Sequence, residues 1–347
     1  MKKLMLLEIG VLLVILIALI IGAIGFAKPA MAPAELDVPA DTAGSTNADS
    51  QARQEQTQQT TTQPPEPTWM TFPEDRALKA QQYFVYDCDT DEFLTISGTQ
   101  DERIYPASIT KLFTAFVAMQ YIEPETQITA GDVLDLVAWG SSVAELEKGD
   151  VMTAEKLVEA MLLPSGNDAA YLLAEQAGRA MTNQEVDAQT AVALFMEEMN
   201  EQAERLGMTG THFVNPDGIH EDTHYTTFAD LVQLGKLAIE NESVMKYASV
   251  PKETVQLQAG SVLWENTNAL IDPQNKYYCP YAVGLKTGQT PMAGSCLLSA
   301  IQKDGKTWLI GVFGCPEIED RFEDTLQLFT QSLAGEYIQS ITGSAAG

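Results

Sequence analysis

Basic residues are scarce in this 347-residue chain: 20 Lys and Arg stand against 48 Asp and Glu, a formal net charge of -28. Phosphate binding needs a basic face, so nucleic acid is excluded as a partner. Adsorption to anionic lipid headgroups is excluded on the same ground. The acidity serves solubility. Cysteine is sparse as well. Cys88, Cys279, Cys296 and Cys315 form no Cys-x-x-Cys pair and no Cys/His ligand spacing, which removes a structural zinc site. Disulfides and buried free thiols both remain open for them. No repeat with a period of roughly 20–50 residues is present, which excludes a solenoid or propeller.

What is present begins at the N-terminus. Lys2 and Lys3 precede an uncharged apolar run over residues 9–27. As a helix that run would measure about 28 Å, close to the thickness of a bilayer's hydrocarbon core. Its length favours a retained transmembrane anchor after a short cytoplasmic tail, residues 1–8. A cleaved signal peptide is the alternative, but Pro33 spoils the Ala30-Met31-Ala32 site. Either way the basic end stays inside and the rest of the chain is placed outside the cell. No Cys lies near the end of the run to carry a lipid.

Residues 28–77 are rich in Pro, Ala, Thr, Gln and Ser, with few large apolar side chains. Such a stretch cannot offset the entropy of ordering and reads as a disordered tether. The folded domain is expected over 78–337, followed by a flexible tail, 338–347. Two strands open it, at about 81–86 and 92–96, joined by a polar hairpin connection. A helix follows from Pro106 to about Tyr121, and helical periodicity dominates from Thr153 to about Lys246. Strand-like runs return at 283–286, 295–301 and 308–313, and an amphipathic helix closes the domain at roughly 322–333. This order predicts an α+β fold with a mainly antiparallel sheet, helices against it and a helical subdomain.

Three short constellations carry chemistry. In Ser108-Ile109-Thr110-Lys111 the hydroxyl and ammonium lie three residues apart, on one face of a helix. Pro106 places Ser108 in the first turn, where a backbone N–H can hold an oxyanion. The apolar residues that follow predict a buried helix. A buried lysine loses solvation, its pKa falls, and it can act as a neutral base toward serine. Ser243-Val244-Met245-Lys246 has the same spelling without the apolar helix. The second constellation is Ser165-Gly166-Asn167, a hydroxyl that can relay a proton and an amide that can bind a carbonyl. The third is Lys286-Thr287-Gly288 at a strand end. It offers a cation, a hydroxyl and room for a substrate backbone, and a second cation there would lower the Lys111 pKa further.

All three in this order resemble the low-molecular-weight penicillin-binding proteins, the serine D-Ala-D-Ala carboxypeptidases of the DD-peptidase/β-lactamase superfamily. The resemblance runs from about Ala80 to Leu333. It includes Tyr105-Pro106-Ala107-Ser108, the stretch from His212 to Gly218, His224-Tyr225-Thr226-Thr227, and Gly284-Leu285 ahead of Lys286. It implies Ser108 as nucleophile, Lys111 as base and Ser165 as proton relay, with Lys286 assisting. It implies Asn167 on the acyl side chain's carbonyl, and the N–H groups of Ser108 and Gln289 as oxyanion hole. Thr287 and Arg321 would receive the substrate's terminal carboxylate, and Gly288 would let the substrate backbone come close; a salt bridge from Arg321 to Glu317 or Asp324 is the alternative role of that arginine. The implied substrates are peptidoglycan stem peptides ending in D-Ala-D-Ala, the implied inhibitors β-lactams, and no cofactor is required. Many relatives add a β-rich domain and a C-terminal amphipathic anchor after the catalytic domain; here the N-terminal helix would do the tethering.

Two other readings compete. His220-Glu221-Asp222-Thr223-His224 has the spelling of a zinc peptidase, but a turn signal, Asn215-Pro216-Asp217-Gly218, stands directly before it. The next helix is expected to start at a Thr227/Asp230 capping box, which leaves His220 and His224 in a loop near the cleft rim. A β-lactamase of the same fold would need a deacylating glutamate in a loop after the second constellation. Glu175 and Glu185 follow it, both in helical context.

Overall fold

In a computed structural model, residues 67–73 and 75–334 are described. The expected membrane helix, most of the tether and the C-terminal tail lie outside the described residues. Among the described residues no helix is long and apolar enough to cross a membrane.

Strands β1 (Gln82–Asp87) and β2 (Glu92–Ile96) form the opening hairpin. The chain returns to them only at the end, through β9 (Ala282–Thr290), β10 (Gly294–Lys303) and β11 (Lys306–Cys315). The five strands make one antiparallel sheet in the order β2-β1-β11-β10-β9. Strand alternation sorts β1 between two cores. Phe84 and Tyr86 face one, Tyr83 and Val85 the other.

Between the two halves of the sheet come α1 (Thr110–Ala118), α2 (Ala154–Leu162), α3 (Asn167–Ala180), α4 (Ala188–Arg205), α5 (Phe228–Glu240) and α6 (Glu242–Ala248). Their starts follow from the sequence. Thr153, Asp187 and Thr227 each accept a hydrogen bond from the backbone N–H three residues on, capping α2, α4 and α5. On one face of the sheet, Phe228 of α5 stacks with Phe84 and Phe313, ring centroids 5.3 and 5.7 Å away. On the other, α7 (Asp320–Ala334) lays Phe322, Leu326 and Phe329 over Val85, Ile310 and Val312. Burying α1 between the sheet and the helical subdomain is what takes Lys111 out of water.

The expected α+β order is present, with three differences. The ordered chain starts before residue 78: Trp69, Met70 and Phe72 pack on the sheet–α7 core, Trp69 edge-on to Tyr281 at 5.4 Å. Partial burial of these three side chains offsets the entropy of ordering this part of the chain. The helix expected from Pro106 begins instead as a 3-10 turn, Ala107–Ile109. A hairpin of β7 (Lys252–Leu257) and β8 (Gly260–Glu265) precedes the late strands; only alternate residues of β7 are buried, a weak signal in sequence. Two short pairs complete the described strands, β3 (Arg103–Ile104) with β6 (Thr226–Thr227) and β4 (Gln127–Thr129) with β5 (Val151–Thr153).

Candidate active site

The site is assembled where the 3-10 turn meets β9. Ala107 has φ +48°, a left-handed conformation that costs an alanine energy and has to be imposed by its surroundings. Two glycines supply them. A methyl group on Gly218, itself at φ +84°, would lie 1.9 Å from the Ala107 carbonyl oxygen. One on Gly288 would lie 2.9 Å from both the Pro106 oxygen and Ala107 Cβ, and 3.2 Å from the Ser108 nitrogen. Gly288 is glycine because the strand passes hard against the turn that presents Ser108.

Ser108 lies in the 3-10 turn and Lys111 in the first turn of α1, three residues on, so their side chains fall on one face. Lys111 Nζ donates to Ser108 Oγ at 2.8 Å and to the Asp217 carbonyl oxygen at 2.7 Å. Lys111 is 0% exposed. Burial pulls its pKa from 10.5 down to about 8, although the carboxylates of Asp217 and Asp168 act in the opposite sense. The duplicate spelling separates cleanly: Lys246 is exposed on α6 and pairs with Glu155.

Ser165 precedes α3 with φ +64°, another strained non-glycine residue beside the cleft. Asn167 opens α3, buried, and its Oδ1 has no hydrogen-bond partner among the described residues. Asp168 holds the covering loop by accepting from the N–H groups of Ala144 and Leu146 at 2.9–3.0 Å. Lys286 is 1% exposed and, among the described residues, donates to oxygens of Thr267 and Thr287 at 3.2–3.4 Å. Burial first, then Lys111 and Arg321, hold its pKa well below the ordinary lysine range. The repulsion between the two lysines is mutual and disfavours both being charged at once, while the carboxylates of Asp217 and Asp168 act on Lys111 in the opposite sense.

Arg321, at the start of α7, is buried and donates to the Gly288 carbonyl oxygen at 3.3 Å. Its Nε has no partner among the described residues, and burial lowers its pKa to about 10. The alternative salt bridge does not form. Asp324 is taken by Arg76 at 2.7 Å and by the N–H groups of Lys79 and Ala80. A cleft of about 230 Å³ collects Ser108, Ser165, Thr287, Gly288, Gln289 and Arg321, joined by Ser142 and Thr267. The buried Arg321 guanidinium and the lysine-bound hydroxyl of Ser108 in one cleft suit a substrate that carries a carboxylate.

Of the predicted residues, Ser108, Ser165, Thr287, Gly288, Gln289 and Arg321 line one cleft, Lys111 is bonded to Ser108 and Lys286 to Thr287, and Asn167 opens α3 two residues after Ser165. The sequence reading missed Asp217, Thr267 and Ser142; Asp217 works through a backbone carbonyl and Thr267 through a loop contact, neither of which leaves a spelling. The zinc spelling does not assemble. Residues 220–224 form a turn, with the His224 N–H bonded to the Glu221 oxygen at 2.9 Å. His220 pairs with Asp222 at 3.4 Å and lies edge-on to Tyr105. His224 is not at the rim but buried, joining α1 to the loop: it accepts from the Val214 N–H at Nδ1 and meets Thr110 Oγ1 at 2.9 Å through Nε2. Burial lowers its pKa to about 3, so it stays neutral. Of the two candidate deacylating glutamates, Glu175 is paired with Arg179 on α3 at 2.8 Å; Glu185 is exposed in the loop after α3 rather than on a helix.

Comparison with known proteins decides the family. The model of the peptidase S11 family, D-alanyl-D-alanine carboxypeptidase, matches residues 66–316. The chain belongs to the D-alanyl-D-alanine carboxypeptidase family. It is 29% identical over 250 residues to the D-alanyl-D-alanine carboxypeptidase DacF of Bacillus subtilis, covering 71% of this chain and 60% of that one. Against the D-alanyl-D-alanine carboxypeptidase of a Streptomyces species the identity is 32% over 245 residues, 67% of this chain and 80% of the relative. This carboxypeptidase-family chain therefore spans well under the full length of the Bacillus relative and most of the Streptomyces one. The crystal structure of a Streptomyces DD-transpeptidase matches with a TM-score of 0.66 at 28% identity, over 75% of this chain and 98% of that one. A Listeria monocytogenes penicillin-binding protein in its cefotaxime-bound form matches with a TM-score of 0.60 at 27% identity, over 75% and 98%. The mixed helix-and-sheet fold is that of the DD-peptidases.

Proposed function

We propose that the protein is a serine D-Ala-D-Ala carboxypeptidase that trims the terminal D-Ala from peptidoglycan stem pentapeptides and is acylated by β-lactams. The carrying observation is the 2.8 Å bond from buried Lys111 to Ser108 Oγ, in a cleft also lined by Arg321. Neutral Lys111 takes the Ser108 proton as the oxygen attacks the carbonyl between the two D-alanines. The N–H groups of Ser108 and Gln289 receive the oxyanion. Arg321 and Thr287 bind the terminal carboxylate, and Gly288 leaves room for the peptide backbone. Asn167 binds the carbonyl of the preceding residue through its amide N–H. Ser165, with Lys286 behind it, passes the proton to the departing D-Ala amine, and water then cleaves the ester on Ser108.

The apolar run at 9–27 supports retention at the membrane, with the catalytic domain outside the cell. A second reading, transfer of the acyl group to an amine, is favoured by the likeness to a Streptomyces DD-transpeptidase. Labelled penicillin separates the readings from a β-lactamase. A long-lived adduct, absent in Ser108→Ala, is expected; rapid turnover of the penicillin contradicts the proposal. An added D-amino acid or glycine acceptor that captures the acyl group would establish transfer.

A further inference from the structure

The segment 214–219 is tied to α1 at three points. The Val214 N–H donates to His224, which meets Thr110; Thr114 Oγ1 donates to the Pro216 oxygen at 2.7 Å; and Lys111 donates to the Asp217 oxygen at 2.7 Å. The segment is also closed on itself. Asn215 accepts from the Gly218 N–H and donates to the Ile219 oxygen, both at 2.8 Å. This rigid turn presents the Asp217 carbonyl oxygen to the two reacting side chains, since Ser108 Oγ lies 3.4 Å from it as well.

The Asp217 side chain is 1% exposed. Its Oδ1 accepts from the Ile219 N–H at 3.0 Å, and its Oδ2 is buried with no hydrogen-bond partner among the described residues. A carboxylate left half unsatisfied inside a protein is costly unless a cation compensates it. Burial raises the Asp217 pKa above the ordinary carboxylate range, and the charge of Lys111 on α1 opposes that rise. The other groups in the neighbourhood are Tyr171 and Asp168 of α3, His224 of the loop, and Lys286 of β9. Tyr171 and His224 are held neutral by burial, so they do not compete for the charge. Asp168 is already occupied by three backbone N–H groups.

We propose that Asp217 is a positioning residue for Lys111: its carbonyl oxygen fixes the amine beside Ser108, and its buried carboxylate holds the proton on Lys111, setting the pH at which the nucleophile is armed. This rests on the reading of Lys111 as the base. The charge also works against the reaction at neutral pH, because it favours the protonated lysine over the neutral one.

The test is the rate of acylation by labelled penicillin from pH 5 to 10 in the wild type, D217N and D217S. Both replacements remove the charge, and both keep an oxygen able to accept from the Ile219 N–H. The expected result is an acid limb displaced to lower pH by one unit or more. Acylation at pH 6 should be at least about threefold faster, and the alkaline plateau should be kept within about fivefold. A merely structural role would lower the plateau and leave the limb where it is; that result, in either variant that folds, overturns the proposal. A ¹³C titration of Lys111 in the wild type gives a second readout. A lysine whose titration ignores the ionisation of Asp217 overturns the proposal, and two coupled steps support it. A wild type that is never acylated at Ser108 removes the reading beneath the proposal, whereas acylation with an unmoved limb removes the proposal alone.

Discussion

Acylation should rise steeply with pH below the Lys111 pKa. Burial brings that pKa from 10.5 to about 8. At pH 7 the neutral fraction is then about 9%, against about 0.03% for an ordinary lysine, a gain of roughly 300-fold in competent base. Second-order acylation by labelled penicillin should therefore climb about tenfold per pH unit between pH 5 and 7, bend near pH 8 and level off by about pH 9. Lys111→Arg keeps the charge but cannot become neutral, and should lose acylation by about 10³-fold or more at every pH. The same burial has a stability consequence. Between about pH 8 and 10.5 the unfolded chain binds the proton and the folded one does not, so stability rises with pH through that window by about 3 kcal/mol. A flat acylation profile from pH 6 to 9, or an active Lys111→Arg variant, would refute the reasoning.

Gly288→Ala puts a methyl 2.9 Å from the Pro106 oxygen and Ala107 Cβ, and should slow acylation by about 10–100-fold with a small loss of stability, measured by acylation rate beside thermal melting. Arg321→Gln should cost about 10²-fold in kcat/KM for a peptide with a free C-terminal carboxylate; the cost for its C-terminal amide should be within about threefold. His224, neutral in the fold with a pKa of about 3, opposes acid. Its stabilising effect is complete above the unfolded value of 6.5 and is lost as pH falls toward 3. Melting midpoints of the wild type should drop between pH 6.5 and 4, and His224→Gln should flatten that drop; a parallel drop in both would contradict the assignment.

The opening hairpin, the α1 helix, the late strands and α7 were legible in the sequence because hydrophobic periodicity and turn residues agree there. The three constellations were legible because chemistry fixes both residue type and spacing within one element. Burial of Lys111 could also be foreseen, from the apolar residues of α1 on every side. The β7–β8 hairpin was not, since its side chains alternate too weakly and half of them face solvent. Asp217 left no signal because its contact with Lys111 is made by a backbone oxygen brought 106 residues along the chain by tertiary folding. The misplacement of His224 at the cleft rim has a related cause: a histidine in a loop reads as exposed, and only the Thr110 and Val214 contacts make its burial affordable. The strain at Ala107 and Ser165 is equally invisible in sequence, because neither residue type announces a left-handed backbone.

Ser108 as the nucleophile of a D-Ala-D-Ala carboxypeptidase is checked by the release of D-Ala from a stem pentapeptide. The wild-type protein should release one D-Ala per peptide, with no effect of a metal chelator and full inhibition by penicillin, and Ser108→Ala should release none. Release that persists in Ser108→Ala, or that a chelator abolishes, would contradict the account.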